Sequence, residues 1–278
     1  MRKEAQLALD VAREAAAVVM RVYAAPFDVE YKSKDDPVTR ADKEANALIV
    51  ERLARETPGV PVVAEESDPS HYAGFASAGA VWFVDPLDGT REFVARNGEF
   101  AVMIGLAEKG RATLGAIVAP AWGRAFVGVV GEGAWEIGAD GSERPLNVTS
   151  RADLAGATIV VSRSRAPARI EAFVASIGAA RAVPTGSSGL KGVLVAIGDH
   201  DAYIQPGRAG MRWDACATEA LVVAAGGACT DAYGDPFDYG TSDIENSRGL
   251  LASNGALHAA LVQALEKRRE QQDQKSGK

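Results

Sequence analysis

The sequence predicts a mixed α/β protein, an α+β half followed by an α/β half. Three observations carry this expectation. Two helical stretches lie near the start of the chain. Short apolar runs broken by Gly and Pro follow them, the pattern of an antiparallel meander. From about residue 155, apolar strands alternate with helices. The expected division is 1–154, 155–267 and a tail, 268–278. At 278 residues the chain is at the upper end for one domain, or enough for two closely packed ones.

Residues 4–24 are rich in Ala, Leu and Val, and Lys3, Glu4, Asp10, Arg13 and Glu14 recur along them. This reads as an amphipathic helix rather than a signal peptide. Lys32–Asp36 is polar and reads as an exposed loop. Pro37 biases Asp36 away from helical angles. Thr39-x-x-Asp42 opens a second helix as a capping box, with Asp in place of Glu. Ala45, Leu48, Ile49 and Leu53 keep helical spacing up to Pro58-Gly59. Val60–Ala64 is a short strand ending at Glu65-Glu66-Ser67.

Val81–Val84 is a buried strand, expected to stop at Asp85-Pro86, and a helix starts near Thr90. Phe100–Ala107, Ala112–Ala119, Arg124–Val130 and Ala134–Ile137 are the meander strands. In the second half the expected strands are Thr158–Ser162, Arg181–Val183, Ala202–Ile204 and Leu250–Ser253. The expected helices are Pro167–Ile177, Ser187–Ile197, Trp213–Ala225 and Ala256–Lys267. Arg268–Lys278 is polar and expected to be disordered.

Composition narrows the function. The net charge is −7 with no visible basic patch, which argues against a nucleic acid polymer as partner. No apolar run approaches a membrane span. Cys216 and Cys229 lack metal spacing and read as reduced interior residues of a cytoplasmic protein. A negative protein with an anionic substrate needs a local cation, and bound metal is the obvious one.

The chemistry concentrates around Asp85 and Asp88, with Gly89-Thr90 directly after. Two acids at a strand end, beside backbone N–H groups at a helix start, make a cation site next to an anion site. The plainer reading is a strand–turn–helix with Asp88 as N-cap. Glu65 and Asp214 stand at other element ends. Two carboxylates about 4 Å apart repel by roughly 4 kcal/mol at an effective dielectric near 20. Four that converge therefore need cations, or protons. The alternative is that they never meet and each faces water or caps a helix.

The string DPLDGT, with AEES upstream and WDA downstream, resembles the magnesium-dependent, lithium-sensitive phosphatase superfamily of inositol monophosphatase. The continuation REFVARNGEF is similar to its bacterial 3'(2'),5'-bisphosphate nucleotidase branch, the CysQ type. The resemblance runs from about Glu4 to about Glu266. It implies a layered αβαβα sandwich and phosphate monoester hydrolysis with two or three Mg2+ ions. Glu65 would bind the first metal. Asp85 and the carbonyl of Leu87 would be shared by the first two, and Asp88 and Asp214 would bind the second.

The resemblance further implies that Thr90, with Glu65 or Asp42, orients the attacking water. Asp42 would also help hold a third metal or its water. Gly89 and Thr90 would offer N–H groups to the phosphate, beside Asp214. Lys32–Asp36 would be a mobile loop over the site. Ser187, Ser188 and Lys191 look like the branch's GSSxK stretch, which contacts ribose and phosphate, here with an extra Gly189. The alternative is a capped helix with Lys191 solvated. Arg163, Arg165, Arg208 and Arg212 are candidates for a second phosphate, which a guanidinium fork suits.

The implied reaction turns adenosine 3',5'-bisphosphate into AMP and phosphate. 3'-Phosphoadenylyl sulfate is a further implied substrate, which points to sulfur metabolism. An inositol or sugar phosphatase is the alternative enzyme. A non-catalytic binder fits less well, because it has no need of the Thr90 hydroxyl. The expected partner is a small nucleotide, and the expected state a monomer or homodimer.

Overall fold

The computed structural model describes residues 1–34, 36–164 and 167–276. The chain opens with helix α1 (Lys3–Tyr23), hairpin strands β1 (Val29–Ser33) and β2 (Asp36–Thr39), and helix α2 (Arg40–Glu56). Strands β3 (Val62–Ala64) and β4 (Ala80–Asp88) lead to a short helix α3 (Thr90–Val94). Strands β5 (Ala101–Glu108), β6 (Arg111–Ala119), β7 (Arg124–Val129), β8 (Gly133–Ile137) and β9 (Glu143–Pro145) complete the first half. Strands β3 to β9 form a seven-stranded sheet in chain order. Only the β3–β4 pair in it is parallel.

The second half runs β10 (Thr158–Ser162), α4 (Pro167–Ser176), β11 (Arg181–Thr185), α5 (Ser188–Ala196), β12 (Ala202–Gln205), α6 (Arg212–Ala224), β13 (Ala228–Thr230), β14 (Leu250–Ser253) and α7 (His258–Ser276). Its sheet has the order β11-β10-β12-β14-β13. β10 is parallel to both neighbours, and β14 antiparallel to both of its own.

Three apolar cores separate five layers. α1 and α2 pack on one face of the large sheet through Leu9, Val19, Ile49, Leu53, Trp82 and Ile104. Phe83, Met103, Ile117 and Phe126 from the other face join α5 and α6 and the inner face of the smaller sheet. α4 and α7 cover that sheet's outer face through Phe173, Val174, Leu261 and Leu265. The result is the layered αβαβα sandwich. Because both faces of the large sheet are covered, its central strands read as nearly continuous apolar runs.

One contact sets the position of α6. Gly105, Gly115 and Gly128 are cross-strand partners on β5, β6 and β7. A Cβ at Gly105 would lie 2.7 Å from Ala217 N, and one at Gly128 2.6 Å from the Leu221 Cα. At Gly115 it would collide with Ala217 O. The row of missing side chains lets the backbone of α6 rest directly on the sheet.

Four expectations need correction. Lys32 and Ser33 belong to β1, so the expected loop is the tip of a hairpin; Asp35 lies outside the described residues. β1 is exposed along most of its length, so no apolar alternation marks it. β4 runs past Pro86 to Asp88, because the register shifts between Asp85 and Asp88 and a bulge tolerates proline. β9 and β13 have three residues each, too short for a periodicity.

The expected disordered tail continues α7 as far as Ser276. Arg268 packs 5.0 Å from the Phe173 ring centroid, and Arg269 donates to Ala232 O at 2.8 Å. Extending an existing helix needs no new nucleus, and Glu, Lys, Arg and Gln are good helix formers.

Candidate active site

A cavity of about 590 Å³ opens where β3 and β4 end and where α5 and α6 begin. Glu65, Asp85, Leu87, Asp88, Gly89, Thr90, Ser187, Ser188, Lys191 and Asp214 all line it. Asp42 stands behind them at the start of α2.

Asp85, Asp88 and Asp214 come together, with a carboxylate oxygen of each within 4.8 Å of the others. Local rules place all three. Asp85 ends the regular part of β4, and its Oδ1 accepts from Leu87 N at 3.0 Å across the bulge. Asp214 is the third residue of α6, and its Oδ2 accepts from Met211 N at 2.7 Å, half of a capping box. Asp88 is held from the far half of the chain. Its Oδ2 accepts from Ser187 Oγ at 2.5 Å and from Gly189 N at 2.7 Å.

Glu65 stands beside this trio rather than within it. Lys32 Nζ on the hairpin donates to Glu65 Oε1 at 2.8 Å and to Glu66 Oε1 at 2.7 Å. Burial raises the Glu65 carboxyl to about 8, with Asp214 and Glu66 reinforcing the shift and Lys32 opposing it. Burial also lifts Asp85 well above the carboxylate range, and Glu65, Asp88 and Asp214 add to it. Such crowding disfavours the ionised forms unless a cation is present. The donors are hard anionic oxygens, which fit Mg2+.

Thr90 Oγ1 donates toward Asp42 Oδ1 at 2.9 Å and Leu87 O at 3.1 Å. Asp42 is 2% exposed. Its Oδ2 accepts from Thr39 N and Thr39 Oγ1, both at 2.7 Å. Burial raises the Asp42 carboxyl, and the bonds from Thr39 and Thr90 hold it back. Asp42 is therefore both a capping residue and the partner of Thr90. Gly89 precedes Thr90 at φ 96°, where a Cβ would lie 2.8 Å from Glu99 O. Only glycine turns the chain there.

The Ser187–Lys191 stretch is tied inward. Ser187 sits at φ 56°, unusual for a non-glycine residue, and its Oγ also accepts from Leu190 N at 3.0 Å. Ser188 Oγ donates to Asp214 O at 3.1 Å. Lys191 is not solvated. It is 4% exposed, donates to Ser187 O and lies 4.9 Å from the Tyr203 ring centroid.

The candidate arginines separate. Arg163 donates to Glu99 at 2.9 and 2.5 Å and to Pro184 O, and is absent from the cavity wall. Arg212 is tied to Asp238 O and Asn246, with its guanidinium over Phe237. Arg208 does line the cavity, and it pairs with Glu245 at 2.6 Å. Arg165 lies outside the described residues. Arg91 and Gln205 also line the cavity. Neither stands out in the sequence, since an arginine in a short helix and a glutamine ending a strand form no pattern.

Known proteins resemble this chain in sequence and in fold. A model of the inositol monophosphatase family matches residues 1–270. The 3'(2'),5'-bisphosphate nucleotidase CysQ of Escherichia coli strain K12 is 37% identical over 236 residues, 82% of this chain and 91% of that protein. The CysQ nucleotidase of Buchnera aphidicola is 32% identical over 94% of this chain and 95% of its own length. Among solved structures, the extragenic suppressor protein suhB of Bartonella henselae superposes with a TM-score of 0.80 at 26% identity, covering 94% and 98% of the two chains. An inositol monophosphatase from Anabaena gives 0.77 at 26% identity, covering 95% of each.

Proposed function

The chain belongs to the inositol monophosphatase family, and from that premise we propose that it is a magnesium-dependent 3'(2'),5'-bisphosphate nucleotidase. Its substrate is adenosine 3',5'-bisphosphate, which water converts to AMP and phosphate. 3'-Phosphoadenylyl sulfate, with the same 3'-phosphate, is a second substrate. The convergence of Asp85, Asp88 and Asp214 beside the Thr90 hydroxyl supports the chemistry. The 37% identity to a bisphosphate nucleotidase supports the substrate.

The acids would hold two or three Mg2+ ions, with Glu65 and the Leu87 carbonyl as further ligands. Bound there, the ions supply positive charge for the phosphoryl oxygens and acidify the attacking water. The chain's own groups do the positioning. The Thr90 proton lies toward Asp42 and Leu87, so its oxygen presents a lone pair to the cavity. That oxygen accepts a hydrogen bond from the attacking water and fixes its direction. Asp42, itself fixed by Thr39, keeps the Thr90 hydroxyl in this orientation. Ser187 and Gly189 keep Asp88 aimed at the cluster.

Phosphate release from adenosine 3',5'-bisphosphate, inositol monophosphate and fructose bisphosphate tests this, with Mg2+ and with added Li+. The expected order puts the adenosine compound first, with inhibition by Li+. Equal or faster turnover of inositol monophosphate would overturn the substrate assignment.

A further inference from the structure

A second compartment adjoins the catalytic cavity. It measures about 530 Å³ and is lined by Arg169 of α4, Gln205 of β12, Arg208, and Arg268 of α7. Gln205 and Arg208 line both spaces, so the two meet at these residues. The charge of the walls changes sign across that neck. The catalytic cavity carries Glu65, Asp85, Asp88 and Asp214. No acidic residue lines the second compartment among the described residues.

Gln205 supplies an independent observation. It is 7% exposed, and its side-chain carbonyl oxygen has no hydrogen-bond partner. An unsatisfied buried acceptor costs about 1–3 kcal/mol. Native proteins rarely keep one unless something else satisfies it. Here the orphan oxygen belongs to a residue that lines two cavities, and a turn of its amide would bring the oxygen to a ligand's donor.

We propose that this compartment receives the phosphate that is not hydrolysed, gripped by Arg169, Arg208 and Arg268, while Gln205 accepts a hydrogen bond from the nucleoside between the two phosphates. The inference rests on the reading of the main cavity as a bisphosphate nucleotidase site. Guanidinium groups suit phosphate because their N–H forks match its oxygens. Arg268 is also partly buried and near Arg169, and both its burial and that like charge lower its pKa. An anion between the two relieves the repulsion. The acidic cavity thus takes the scissile phosphate through metal, and the basic compartment takes the other directly.

The test compares adenosine 3',5'-bisphosphate with adenosine 3'-monophosphate for the wild type and the double variant Arg169→Ala/Arg268→Ala. The ratio of their kcat/KM values is expected to fall at least tenfold, mainly through KM for the bisphosphate. Lysine at both positions should restore part of it. An unchanged ratio, or equal losses on both substrates, overturns the proposal. Gln205→Leu should weaken both nucleotides more than inositol monophosphate; equal weakening of all three removes Gln205 from the proposal.

A binding measurement separates this inference from the catalytic reading. In EDTA, AMP should bind the wild type more tightly than adenosine does, and the double variant should lose that difference. Equal binding of AMP and adenosine to the wild type overturns the compartment, whatever the turnover shows. Failure of the wild type to release phosphate from the bisphosphate, with the AMP preference intact, overturns the nucleotidase reading instead.

Discussion

Thr90 carries one hydroxyl proton, and it lies between Asp42 and Leu87. Thr90→Ala should therefore lower kcat by about 10²-fold, the cost of losing the position of a reacting group, while Mg2+ affinity changes little. Serine at 90 should keep most of the activity. Asp88→Asn removes a charge from the trio but can still accept from Ser187 and Gly189. Circular dichroism should show an intact fold, with turnover lost. Full activity in that variant would mean that the acids do not hold the catalytic metal.

Glu219 gives a residue-scale prediction about stability. It is 9% exposed and accepts from Tyr239 Oη at 2.6 Å. Burial raises its carboxyl to about 7, from an ordinary value of 4.5. The folded state then holds this proton more tightly than the unfolded state does. The contribution is complete below pH 4.5 and disappears as pH rises through about 7. The loss is on the order of 3 kcal/mol. Urea denaturation between pH 5 and 8 should show Glu219→Gln gaining on the wild type as pH rises. A constant difference across that range would remove Glu219 as the cause.

At the scale of elements, the glycine row under α6 links packing to chemistry. α6 begins two residues before Asp214, so its height above the sheet sets where that carboxylate sits. Gly115→Ala should destabilise by about 1–3 kcal/mol, as overpacking does. It should also weaken Mg2+ binding in calorimetry; weakened stability with unchanged Mg2+ affinity would break the link. The β1–β2 hairpin gives the opposite case. Its Lys32 ammonium lies where it must share Glu65 with any incoming cation. Lys32→Met should tighten Mg2+ binding by up to about fivefold, the upper end for a modest ion pair. Weaker binding would show that Lys32 organises the site instead.

Elements with strong local signals were legible in the sequence. β10 and β14 fall where the apolar runs lie, and α2 starts at its capping box. Asp85, Asp88 and Asp214 were legible as element ends, but that they meet was implied by the resemblance of DPLDGT and WDA and not by local rules. What was not legible depends on distant contacts. Ser187 lies 99 positions from the Asp88 that it binds. Nothing near Gln205, Arg169 or Arg268 announces that three elements bring them to one space.

For the whole molecule, no helix among the described residues is long and apolar enough to cross a membrane, and Cys216 and Cys229 are free and buried. The proposed metal site would make the folded state respond to cations as a unit, since an assembled trio would bind divalent metal better than the separated acids of an unfolded chain. Mg2+ at a hundredfold excess over its Kd should add about 2.7 kcal/mol of stability. Differential scanning calorimetry should show Tm rising with Mg2+, and the rise should vanish in Asp88→Asn. A Tm indifferent to Mg2+ would count against the trio as a metal site.

Asp88 grows from one half of the chain and is steadied by Ser187 and Gly189 of the other. Neither half alone can therefore present the assembled trio, whose third member, Asp214, also belongs to the second half. A hybrid whose second half lacks the Ser187 hydroxyl would leave Asp88 with the Gly189 backbone N–H alone of these two donors. An exchange that keeps the serine with the aspartate should leave that carboxylate aimed as it is here.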